Sequence, residues 1–389
     1  MPVRNLAARL GGAAAFLWLG CWTLPASAAL SDFTLPPPSF AVGESELTLS
    51  AWAGGALFAP SDRNGAAASG ALLISPQLRR DYDSGLVLAL SGTIAASDAL
   101  SHGRYGGRAL EKLFGEMRTG LGRVEIGLTD GAGYQLAVTG PKADPAISLD
   151  DPRTGFFRDP VTGRALTDTF ALRTPVGASS DYAKIVYVSP ALFGAQLSLS
   201  FTPSESRQLP FLDAGPDVPG RQTDIWELGL RYSREVGPVS LTAYGAAAEG
   251  RGEHKLPGQE GISDLGAGLR ADYPLNDEVI LSLGGAYRQS NAHAFAINQS
   301  WQAGTTSVSH VSGAVSSGDF TVSLEYGSGR ADAVAALPRR GLNAWEAAMA
   351  YRLSPSLSAS WGWQHMIYAG APRLSLEAVF FHLTAQTSE

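Results

Sequence analysis

The side chains able to do chemistry are scattered through this chain rather than spaced for it. Its six histidines, His102, His254, His293, His310, His365 and His382, form no H-E-x-x-H pair and have no cysteine partner at ligand spacing; the single cysteine is Cys21. No metal or cofactor is therefore expected. A nucleophile-and-base relay needs serine, histidine and acid on one surface. Ser360 and His365, the nearest pairing, are an odd number of residues apart in an alternating stretch, so they fall on opposite faces of a strand. The glycine clusters at 103–107 and 327–329 lack the strand-to-helix setting of a phosphate loop.

What recurs instead is charge placed by position. Asp144, Asp150, Asp151, Asp159 and Asp168 fall in the stretch 131–180, while Lys112, Arg118, Arg123 and Lys184 lie in the periodic segments that flank it. Acid facing base across a gap sets up a transverse field that sorts ions and dipolar solutes. The alternative is that the same charges pair and hold the stretch in place.

The elements that must position these groups are strands. Phe320, Val322, Leu324 and Tyr326 alternate with Thr321, Ser323 and Glu325, which gives one oily and one wet face. Such alternation with turn residues between predicts 16 strands, near 46–58, 68–80, 84–96, 109–120, 122–130, 181–189, 193–203, 223–234, 237–249, 262–273, 277–290, 305–316, 319–329, 342–353, 356–368 and 373–385. Short connections take turns with long ones. The longest, 131–180, is too long for mere linkage. Its prolines stiffen it, and Phe156, Phe157 and Phe170 are placed to pin it to a wall. Wet-face parity assigns Glu125, Glu227, Arg231, Arg270, Asp272, Arg288, Glu325, Glu346 and Arg352 to a water-filled lumen. Trp52, Tyr187, Phe201, Tyr232, Tyr273, Tyr287, Tyr326, Tyr351, Trp361 and Trp363, toward strand ends, suit two interfacial girdles.

Residues 1–28 have the layout of a cleaved secretory signal, with Arg4 and Arg9, an apolar stretch, and Ala26-Ser27-Ala28 at its end. Removing them takes away the only cysteine and leaves 27 basic against 36 acidic residues, a net charge of −9. That balance argues against a nucleic-acid partner and leans a channel toward cations. No apolar run reaches the roughly 18 residues of a membrane helix. Strands with one oily face can instead cross a bilayer if the sheet closes, because every backbone polar group must then be paired within the protein. The expectation is an all-β, 16-stranded antiparallel transmembrane barrel over 46–385. It would have a lead-in at 29–45, short periplasmic turns and long external loops, the longest at 131–180. The rivals are an outer-membrane barrel enzyme of lipase type and a solute-specific channel.

Two stretches carry a family resemblance. DYAKIVYVSPALFGAQLSLS at 181–200 resembles the strand, turn and strand after the third loop of Gram-negative porins, and GLGRVEIGLTDGAGYQLAVTG at 120–140 resembles the stretch before that loop in porins of alphaproteobacterial type. The resemblance implies a homotrimer in outer-membrane lipid that passes small hydrophilic solutes and ions, with the third loop, 131–180, folded into each pore as a constriction and no catalysis. One departure is the chain end. Such porins usually finish on an aromatic residue, whereas this chain runs past Phe380-Phe381 to Glu389.

Overall fold

The computed structural model describes residues 33–62, 65–97, 109–150, 156–158, 166, 171–180, 182–205, 220–252, 255, 258–292, 301–333, 339–370 and 373–387. The signal-like segment, Asp151, Asp159, Asp168 and Phe170 lie outside them.

Among the described residues seventeen strands form one sheet. After a short β1 (Ser39–Val42) come β2 (Ser45–Pro60), β3 (Ala67–Asp81), β4 (Val87–Ser97), β5 (Leu110–Thr119), β6 (Gly122–Leu128), β7 (Ala183–Val188), β8 (Ala195–Ser204) and β9 (Gln222–Val236). The second half is β10 (Val239–Gly252), β11 (Ser263–Pro274), β12 (Val279–Ala292), β13 (Trp301–Ser317), β14 (Phe320–Ala331), β15 (Arg340–Ser354), β16 (Leu357–Ala369) and β17 (Arg373–Gln386).

From β2 onward each strand pairs antiparallel with the next, and β17 returns to β2 through pairs from Ala378 with Pro60 to Gln386 with Trp52. Strands β2 to β17, sixteen in all among the described residues, thus close a barrel with no end strand in the ring. Strand β1, which falls in the expected lead-in, pairs with residues 45–48 of β2, just past the point where β17 stops. Strands β1 and β17 therefore lie end to end along one edge of β2. Thr387 N–H donates to Ala51 O and Leu49 N–H to Pro38 O.

Burial is the reverse of a water-soluble protein. Leu324 is 56% exposed while its neighbours Ser323 and Glu325 are 2% and 0% exposed. The same inversion sets Trp226, Leu228 and Leu230 outward and Glu227 inward. A continuous apolar outer surface is stable only against lipid, which fixes what the solvent on that side must be. Phe201 and Trp226 lie tilted against each other outside, ring centres 4.6 Å apart, as do Tyr326 and Trp345 at 4.4 Å. Trp52 departs from the expected girdle: it pairs with Leu73 on the inward face and lies 6.4 Å from the ring of His382.

Candidate functional site

The connection from β6 to β7 enters the barrel. It starts in one helical turn, α1 (Ala132–Gln135), capped by Gly131. From there it meets wall after wall: Ala132 N–H donates to Ser200 on β8, Tyr244 on β10 donates to Gly133 O, Ser312 on β13 to Pro141 O, and Ala143 N–H to Ser323 on β14. It approaches so closely that glycine is required. A Cβ at Gly229 on β9 would stand 2.6 Å from Ala132 O, and one at Gly268 on β11 would overlap Val138 O.

The loop is clasped at its base by two buried charges. Lys184 on β7 donates to Thr129 O at its entry and to Ser179 O and Ser180 O at its exit. Glu227 on β9 accepts from Gly133 N–H and Ser179 N–H, again one group from each end. Farther in, the loop docks through a dry core. Ile147, Leu149, Phe156, Phe157, Leu166 and Leu172 pack against inward wall residues including Phe58, Leu342, Met366 and Phe380. Phe156 lies 4.8 Å from Phe58 and 5.4 Å from Phe380, ring centre to ring centre.

At the far wall Asp144 accepts from Ser360 on β16 and lies 2.6 Å from His382 Nδ1 on β17. Burial pushes the Asp144 carboxyl up, but the hydrogen bond and charge of His382, with hydrogen bonds from Ser360 and Ala146 N–H, outweigh it and hold the group below the ordinary carboxylate range. Serine, acid and histidine meet here, yet both partners engage the same carboxylate oxygen, Oδ2, and all three are buried. That is a latch, without the serine-to-histidine bond that a hydrolytic relay needs.

The charges assigned to the constriction therefore divide. Asp144 and Asp150 are buried in the packing of the loop, Asp150 receiving Thr174 N–H and Oγ1–H and the ammonium of Lys142. Lys184 is fully buried. None of these three lines open space; they play the holding role that pairing offers as the alternative to a filter. Lys112 and Arg123 do border the open space, and Arg118 is exposed beside Glu116.

The lumen charges divide too. Glu227, Arg288, Glu325 and Glu346 are all but fully buried. Arg288 forks onto Asp264; Glu325 accepts from Ser148 of the loop and meets His310 at 3.0 Å; Glu346 accepts from Gln364. Arg231 is exposed, Arg270 pairs with Asp272, and Arg352 pairs with Asp319. Dense packing replaces water over much of the lumen, which alternation alone does not reveal.

Open space remains along the wall of β2 to β6, where a cavity of about 740 Å³ runs beside the loop entry. Its charges are Arg79, Lys112 and Arg123 against Glu46, Glu125 and Asp130. Arg123 Nε is 3.0 Å from Glu125, Lys112 pairs with Asp130, and Arg79 pairs with Asp81 at 2.9 Å. Arg79 and Glu46 lie within expected strands on the inward parity, which was the signal available for them, whereas Asp130 ends the strand expected at 122–130 on the opposite parity, so alternation gave no signal for it.

Comparison with known proteins agrees with this architecture. A model of the Gram-negative porin family matches residues 27–366. Among solved structures, the anion-selective porin of Comamonas acidovorans is 12% identical, with 88% of this chain and 100% of that one covered at a TM-score of 0.55. The trimer form of OmpT, an outer membrane protein of Vibrio cholerae, is 8% identical over 88% of this chain and 99% of its own, at 0.56. A mutant of the Rh. blastica porin is 16% identical, over 87% and 99%, at 0.50. No curated protein matches by sequence. The chain belongs to the Gram-negative porins, outer-membrane barrels that act as channels.

Proposed function

We propose that this porin is a passive diffusion channel for small hydrophilic solutes and ions, working as a homotrimer after export by a cleaved signal at 1–28. The observation that carries the reading is the cavity left along β2 to β6, lined by polar and charged side chains, beside a loop whose described residues pack against inward residues of the wall. The constriction is the gap between this wall and the loop 131–180 within the barrel 46–385, with Lys112 and Arg123 from the wall and Asp130 at the loop's entry. Three basic and three acidic side chains face this gap, so ion preference is weak. The acidic balance of the whole chain tips it toward cations. The trimer form of the Vibrio cholerae neighbour supports the assembly.

Swelling of vesicles that contain the purified protein tests the reading. Isotonic sugars should enter at rates that fall steeply with solute size, and a potassium chloride gradient should give a small reversal potential of cation sign. Impermeable vesicles, or a clear anion preference, count against it. Release of fatty acid from the vesicle lipid would instead favour a barrel enzyme.

A further inference from the structure

We propose that six inward side chains on β2, β3 and β4, namely Thr48, Ser50, Ser75, Gln77, Ser91 and Thr93, form a weak binding patch for neutral polyhydroxylated solutes, aldoses and polyols, in transit. The inference rests on the channel reading and names the solute class that the passage favours.

All six line the open cavity. Cross-strand register puts Thr48 opposite Gln77 and Gln77 opposite Ser91, while Ser50 faces Ser75. Ser75 Oγ and Thr93 Oγ1 are 3.2 Å apart, and Gln77 Nε2 donates to Ser91 Oγ at 3.1 Å. Three adjacent strands thus present two rows of neutral polar groups at the strand spacing of about 4.8 Å. A hydroxyl both donates and accepts and turns to suit its partner. Such an array matches a ligand that is itself a ring of hydroxyls. Phe114 borders the same space and offers apolar surface to the C–H face of a sugar.

Ions find less here. The charged groups around the cavity are answered within the wall: Arg123 by Glu125, Lys112 by Asp130, Arg79 by Asp81, and Glu46 by the hydroxyl of Ser39 at 2.6 Å. A neutral polyol that sheds water in the passage regains hydrogen bonds from the patch, whereas a bare ion gains no uncompensated opposite charge.

The test is the ion current through single reconstituted channels at rising concentrations of glucose, compared with triethylene glycol, whose ether oxygens only accept. Glucose should reduce the current saturably and at lower concentration than the glycol. The triple variant S50A, S75A, T93A should raise the half-blocking concentration of glucose at least about tenfold, the order expected for three lost hydrogen bonds, with block by the glycol as the internal reference. Equal, linear reduction by both solutes in the unaltered protein overturns the inference without any variant. So does a triple variant that conducts and is blocked like the parent. Absence of current steps from the unaltered protein would overturn the channel reading, and this inference with it.

Discussion

Asp144 and His382 stand 238 positions apart in the chain and 2.6 Å apart in space, and through them the third loop is latched to the last strand. Because the folded barrel holds the Asp144 carboxyl below its ordinary value of 3.8, the latch contributes stability that is fully present above that value. It is lost only as the pH falls through the lower, folded-state value. Loop docking should therefore persist through mildly acidic conditions and fail only in stronger acid. Asp144→Ala should cost about 3–5 kcal/mol by leaving His382 buried without its acid. Current noise measured against pH, for the parent and for this variant, checks both statements; loosening of the parent at pH values well above 4 would contradict them.

The aromatic contact of the loop gives a second expectation. Phe156 sits between Phe58 and Phe380 in a dry cluster, so Phe156→Ala should cost about 3–5 kcal/mol of docking free energy. Limited proteolysis of the folded barrel should then cut within 131–180, where the parent resists.

Close approach supplies a third. Gly268 faces Val138 O with no room for a Cβ, so Gly268→Leu should cost about 1–3 kcal/mol and push the loop toward the open wall. Reduced single-channel conductance is the readout, and an unchanged value would mean the loop does not lie against β11.

The lipid face is tested by Leu324, which points outward between Val322 and Tyr326. Leu324→Arg should cost about 2–4 kcal/mol at the bilayer midplane, measured by denaturant titration of the protein folded into vesicles. Unaffected folding would reverse the assigned facing of β14.

Much of the fold was legible because a strand crossing lipid must alternate. Leu324 outward and Glu325 inward follow from parity alone, as do the sixteen strands and the long third connection. Parity says only which face a residue takes, however, and not what covers it. Glu325 and Arg288 read as lumen lining, but the loop and neighbouring side chains bury them against Ser148 and Asp264. Asp144 and Lys184 read as filter charges for the same reason. Their partners, His382 and backbone carbonyls of the loop ends, are set by how a long connection folds back, which local pattern does not encode. Strand β1 was missed because four residues paired to the foot of β2 carry too little alternation to stand out.

An aqueous passage through the closed barrel is tested most directly by single-channel recording in a planar bilayer. Discrete, ohmic current steps from heat-modifiable, folded protein are predicted. Folded protein that inserts and yields no steps would contradict it.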